Sequence, residues 1–244
     1  MIRLFLKSYN KFNTHLILIS CLISAVALGC NYNTPVNTTS ELTIYAAASL
    51  QDSYNEISQL FMETYPKVQV NINFAGSQKL MTQISHGAKA DIYASADMDH
   101  IANLGALGLS NSDPIIFARN KLAIVVHNKN KETITRFPDL TRQGVKIVLA
   151  HPSVPAGKYT TMLINNISYD SYLSPETFQK LFYANVVSYE DSVKSVLMKT
   201  VLGEADVGIV YKTDSQLSHA QVNTSKINIP EILNVTGIYG DVTI

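Results

Sequence analysis

Two serines stand where the chain should leave a strand and enter a helix. Ser49 closes the run "TIYAAAS" (43–49) and Ser77 closes "NFAGS" (73–77). The residues just before each are nearly free of side chain: Ala46, Ala47 and Ala48 in one case, Gly76 in the other. A serine at such a junction offers a hydroxyl. The start of the helix adds backbone N–H groups without intrahelical partners and the positive end of the helix dipole. Two such ends facing one another make an anion site that needs no full positive charge. Small neighbours leave the backbone open to close approach. The competing reading is that both serines only cap their helices, as serine commonly does. The residues alone leave that choice open.

Other chemistries find less support. His86, His100, His127, His151 and His219 are scattered, with no HExxH run and no i,i+4 pair, so neither a metal site nor a cofactor is expected. There is no GxSxG elbow, P-loop or GxGxxG run. Serine, histidine and aspartate are all present, but no spacing selects a triad. A secreted hydrolase with Ser49 or Ser77 as nucleophile is therefore the alternative of a different class. "GALGL" (105–109) reads as a helix stop and turn, not a phosphate cradle.

The elements that must hold the two serines are legible as periodicity. "ELTIYAAA" (41–48) reads as a strand, and Leu50–Tyr65 as a helix with Leu50, Tyr54, Ile57 and Phe61 on one face. Ser49 with Asp52 three residues later has the capping-box spacing. "VQVNINF" (68–74) alternates strictly, Ser77 opens a second helix that Gly87 closes, and 91–96 and 98–107 repeat the pattern. A β-α-β-α-β series implies a parallel sheet covered by helices. The long apolar stretch 114–128 has a polar interruption at Arg119–Lys121, where one strand could cross between two lobes. Further on, 145–150 reads as a strand, 174–184 as a helix with Ser174 as cap and Pro175 at its first position, and 190–202 as another. Then 205–214 reads as a returning strand. Two α/β lobes joined by crossing strands commonly hold a ligand in the cleft between them.

Composition fits a folded protein: 244 residues, 46% hydrophobic and 16% charged. The first 29 residues read as a secretory signal, with Arg3, Lys7 and Lys11 before an apolar run that ends in small residues. "ALGC" (27–30) resembles a bacterial lipoprotein signal, in which Cys30 would carry the lipid. Residues 30–40 then form a polar tether. Removal of 1–29 would also remove Cys21 and three of the 19 basic residues, leaving sixteen basic against 19 acidic. A mildly acidic chain with no basic stripe is a poor nucleic-acid binder.

"LTIYAAASLQD", "FAGSQKLMTQI", "GAKADIYASAD", "VPAGKYT" and "EADVGIVYKTD" together resemble the molybdate-binding proteins of bacterial ABC importers, in order and in spacing, from Glu41 to the C-terminus. The resemblance implies an α/β, two-lobed type II periplasmic binding protein fold with the ligand in the cleft. Motif order implies one lobe from 41–117 plus 212–244 and a second from 118–211. It also implies a ligand, molybdate or tungstate, held by neutral donors: the hydroxyls and N–H groups of Ser49 and Ser77, the backbone N–H groups of Ala156 and Val193, and the hydroxyl of Tyr211. No catalysis is implied. The partners would be a permease and its ATPase, with a lipid-anchored monomer outside the cytoplasm. The same-class alternative is another oxyanion such as sulfate. Family chains continue past the last strand into a C-terminal helical segment, and this sequence stops at Ile244. Lys79, Lys158, Lys194 and Lys212 each lie within two residues of a proposed contact, and read either as ordinary solvated lysines or as a positive rim that steers a dianion.

Overall fold

The computed structural model describes residues 39–167, 173–229, 233 and 235–244. The expected signal peptide, Cys30 and most of the tether lie outside these residues. Among the described residues no helix is long and apolar enough to cross a membrane.

Alternating and small residues give β1 (Ser40–Ala47), which pairs in parallel with β2 (Val68–Ala75) and β3 (Ile92–Ser95). Between them lie α1 (Gln51–Thr64), α2 (Ser77–Ser85) and α3 (Met98–Ala106). Gly87 ends α2 with φ +92°, a conformation glycine adopts without a Cβ penalty.

The chain then enters β4 (Ile115–His127), the crossing strand. Ile115 to Lys121 pair with β9 (Thr236–Thr243), which also pairs antiparallel with β3. Leu122 to Val126 pair instead with β7 (Val207–Tyr211). β7 pairs in parallel with β5 (Ile147–Ala150), and β5 with β6 (Val186–Glu190). One path of strands, β2-β1-β3-β9-β4-β7-β5-β6, thus runs through both lobes, and β4 is shared. The second lobe is covered by α4 (Pro155–Asn165), α5 (Pro175–Ala184) and α6 (Val193–Val201). Val193, Val196, Leu197 and Val201 of α6 are all buried, as their spacing predicts. Ser174 caps α5 by accepting from the Thr177 N–H.

Two details differ from the sequence reading. α7 (Ser218–Asn223) leads into β8 (Thr224–Ile227), which pairs with 124–127 of β4. Residues 218–227 therefore sit with the second half of the sheet, and the chain rejoins the first half at β9. Both elements are too short to carry a period of their own. The apolar stripe expected from Leu50 to Phe61 joins the core only at its start, where Leu50 is buried and Tyr54 packs against the core. No residue of α1 is buried, Ile57 and Leu60 are each 57% exposed, and Tyr54 packs on Phe117 at 6.3 Å between ring centroids.

Candidate functional site

Four helix starts and one strand end meet at a small cavity between the lobes, about 210 Å³ including its open mouth. The space enclosed inside it is only about 10 Å³, on the order of what one water needs, so its occupant must be small.

From the first lobe, β1 delivers Ala47, Ala48 and Ser49 in a 3-10 turn that runs straight into α1. The capping box expected at Ser49 does not form. Ser49 lies inside that turn, neither helix start has a side-chain cap, and its hydroxyl turns to the Tyr239 hydroxyl at 2.9 Å. Gly76 and Ser77 begin α2. The N-cap is Gly76, so Ser77 is the first helical residue. Its hydroxyl, buried with the rest of the side chain, accepts the Ala96 N–H at 3.0 Å, and its carbonyl accepts the Tyr93 hydroxyl at 2.9 Å. With its oxygen already accepting, the Ser77 proton remains for the cavity.

From the second lobe, Val154, Pro155 and Ala156 begin α4. Proline at the first position has no N–H to waste, and the Ala156 N–H is the first one available. Gly157 follows because a Cβ there would sit 2.1 Å from the His151 carbonyl oxygen. Val193 is the first residue of α6 behind the Ser192 cap, so its N–H is one of the orphan donors of a helix start. Tyr211 ends β7, 1% exposed, and its hydroxyl makes no hydrogen bond among the described residues. Its ring leans on Tyr239 at 5.5 Å, but the two hydroxyls are not placed for a good bond. All five residues singled out in the sequence therefore line one cavity.

The lining includes no charged side chain and no histidine. It presents hydroxyls, backbone N–H groups and the positive ends of helices, which favours negative charge. Among the described residues no group of three His, Cys, Asp or Glu side chains is placed to hold a metal ion.

Residues 42–244 match the family model of bacterial extracellular solute-binding proteins. The chain belongs to that family. It is 35% identical over 91% of its length to the molybdate-binding protein ModA of Mycobacterium tuberculosis, covering 82% of that protein. It is 33% identical to a putative ABC transporter substrate-binding lipoprotein of Bacillus subtilis, with 82% of this chain and 73% of that one covered. Among solved structures it resembles the substrate-binding domain of a putative molybdenum ABC transporter from Clostridium difficile. That match has TM-score 0.59 and 27% identity, and covers 84% and 85% of the two chains.

In this solute-binding protein the lysine rim takes another form. Lys194 of α6 pairs with Asp52 of α1, and Lys158 of α4 pairs with Asp99 and, at 3.6 Å, with Asp97 beside α3. Lys79 of α2 lies 3.6 Å from Asp191, whose carbonyl also accepts the Gln78 side-chain amide at 3.1 Å. Each pair joins one lobe to the other. Each of these three lysines brings an aspartate with it, which leaves little net charge at those points to steer with. Lys212, at the end of β7, is exposed. Burial alone would lift the pKa of Asp97, but the hydrogen bonds and charge of His100, with Lys158 behind them, hold it below the usual range.

Pairs that bridge the two sides of the cavity resist its opening, so they should act on release. Exposed pairs are worth about 0.2–1 kcal/mol each. Replacing Lys79, Lys158 and Lys194 together with Gln should speed ligand dissociation about tenfold and leave association nearly unchanged. Stopped-flow rates check this: an effect confined to association would restore the steering rim.

One carboxyl lies behind the site. Asp214 accepts the Tyr211 N–H at 3.3 Å. Burial pushes its pKa up to about 7, with Asp52 adding to the rise and Lys194 and the Tyr211 N–H opposing it. A dianion next to Tyr211 repels the ionised form, so binding should shift this carboxyl further toward neutrality.

Proposed function

We propose that this chain is the solute-binding component of an ABC importer, that it captures molybdate, and that it hands the ion to a membrane permease and its ATPase. The observation carrying this reading is the convergence of four helix starts and the Tyr211 hydroxyl on one small cavity without a charged side chain. Molybdate at neutral pH has two negative charges and no proton, so it needs donors alone. Ser49, Ser77 and Tyr211 would give hydroxyls, and Ala156 and Val193 backbone N–H groups. Each such bond to a charged group is worth about 1.5–3 kcal/mol. Tungstate has nearly the same size and charge and should bind comparably.

The division into lobes belongs to the same reading: residues 41–121 with β9 as one body, and 122–229 as the other, closing on the ion about the shared β4. The family supports export, and the "ALGC" leader and the lipoprotein relative support a lipid on Cys30. Cys30→Ala should release the protein from membranes. The chain would act as a monomer, with neither catalysis nor a cofactor. Against a hydrolase stands the partner set of the serines: Ser49 meets a tyrosine and Ser77 a backbone N–H, and neither is a base able to activate a nucleophile.

Calorimetric titration tests the reading. Molybdate and tungstate should each bind one per chain, and sulfate at least about 100-fold more weakly, because fixed donors cannot all shrink onto the smaller ion. Sulfate binding as tight as molybdate would move the protein to the sulfate alternative. No binding of either would overturn the proposal.

A further inference from the structure

Tyr239 was not among the residues singled out in the sequence, and it does not line the cavity. It is 2% exposed on β9, its hydroxyl meets Ser49 Oγ at 2.9 Å, and its ring packs on Tyr211. By distance alone either hydroxyl could donate. The surroundings decide between them. Ser49 borders the cavity and Tyr239 does not, so only the serine can reach a bound anion. If Ser49 donated to Tyr239, it would turn a lone pair on the anion and leave the buried Tyr239 proton in need of another acceptor. Besides Ser49, the side chains beside that hydroxyl are Tyr211, whose hydroxyl makes no hydrogen bond among the described residues, and Asn120. The Asn120 carbonyl oxygen already accepts the Lys121 N–H and its amide donates to Thr213. If Tyr239 donates to Ser49, every proton has a place and the chain of bonds ends on the anion, each bond polarising the next. Burial drives the Tyr239 pKa far above its ordinary value, so the phenol keeps its proton.

Resting on the oxyanion reading above, we propose that Tyr239 is a specificity-determining positioning residue: its hydroxyl donates to Ser49 Oγ, fixes that serine as a donor into the cavity, and so closes the site to oxyanions that carry a proton. A protonated anion such as hydrogen phosphate needs one acceptor. Ser77 is already locked as a donor by the Ala96 N–H. Ser49 could turn to accept only by stranding the Tyr239 proton in the interior, which is costly. Without the Tyr239 hydroxyl, Ser49 is free to turn.

The test is a competition titration at about pH 8, where phosphate keeps one proton and sulfate has none. The probes are molybdate, sulfate and hydrogen phosphate, on wild type, Tyr239→Phe, Ser49→Ala and the double variant. Tyr239→Phe should weaken molybdate and sulfate by a similar factor, about three- to tenfold. It should also narrow the preference for molybdate over hydrogen phosphate by about tenfold. Added to Ser49→Ala, it should change nothing further, because it acts through that serine. Should Tyr239→Phe fail to fold, Ser49→Ala carries the test: it should weaken all three anions without narrowing the preference. A Tyr239→Phe protein that loses all three anions equally, or stays as closed to hydrogen phosphate as wild type, overturns the proposal, as does a narrowed preference in Ser49→Ala alone. Wild type that fails to bind molybdate would instead sink the functional reading.

Discussion

Gly76→Ala should abolish tight anion binding while leaving the ligand-free protein nearly as stable as before. Gly76 has φ −60° and ψ 139°, a conformation alanine adopts freely. The obstacle lies in the other lobe. A Cβ at position 76 would come 2.3 Å from the Asp191 carbonyl oxygen and within 2.7 Å of the Gln78 amide atoms. The Gln78 side chain can move, but the Asp191 backbone is fixed by the start of α6, whose first residue is Val193. The methyl group therefore holds the cleft ajar at the point where α2 and α6 meet. Overpacking of this kind costs about 1–3 kcal/mol. Moving the Val193 N–H out of reach forfeits about 1.5–3 kcal/mol more. Together they imply a loss of about 100-fold or more. With the lobes apart only the flexible Gln78 side chain has to move aside, so the melting temperature without ligand should nearly hold. Gly157→Ala makes the contrast, since its clash with His151 lies within one lobe and should destabilise the protein with or without ligand. Unchanged molybdate affinity in Gly76→Ala would show that closure does not bring these backbones together.

Tyr211→Phe should move stability and affinity in opposite directions. The Tyr211 hydroxyl is buried with no partner among the described residues, a burden of about 1–3 kcal/mol on the ligand-free fold. Removing it should raise the ligand-free melting temperature and weaken molybdate about 10- to 100-fold. Ser77→Ala should lower both. It takes away a donor and also strands the buried Ala96 N–H that Ser77 Oγ accepts. Thermal melts with and without molybdate, read beside the titration, separate the two cases. A Tyr211→Phe protein that melts lower and binds normally would make the tyrosine a packing residue.

The sequence carried much of this site, and the reasons it did not carry the rest are physical. Ser49 and Ser77 stood out after Ala-Ala-Ala and Ala-Gly at strand ends, but the residues alone left a plain capping role open, and only the family motifs favoured a site. Ala156 and Val193 would act through backbone and have no chemical signature, so the same motifs alone marked them. The lobes and the crossing strand were legible as periodicity and as the polar break at Arg119–Lys121. Tyr239 was missed because an aromatic in a closing strand reads as core, and its hydroxyl contact spans 190 residues of chain. The ion pairs of Lys79, Lys158 and Lys194 were not legible for a similar reason. Their aspartates, 52, 99 and 191, lie in other elements of the chain, and only folding places each against its partner. The α1 stripe was periodic without being buried, since periodicity reports a face and not what covers it.

The central claim is that this cavity offers donors and no acceptor. Sulfate and hydrogen phosphate separate that claim from size and charge, because at about pH 8 both are tetrahedral dianions of similar radius that differ by one proton. The most direct measurement is displacement of bound molybdate by each of them in the same buffer. Sulfate should displace molybdate at a concentration at least about tenfold lower than hydrogen phosphate, whose proton finds no partner. Hydrogen phosphate that displaced molybdate as readily as sulfate would contradict the account.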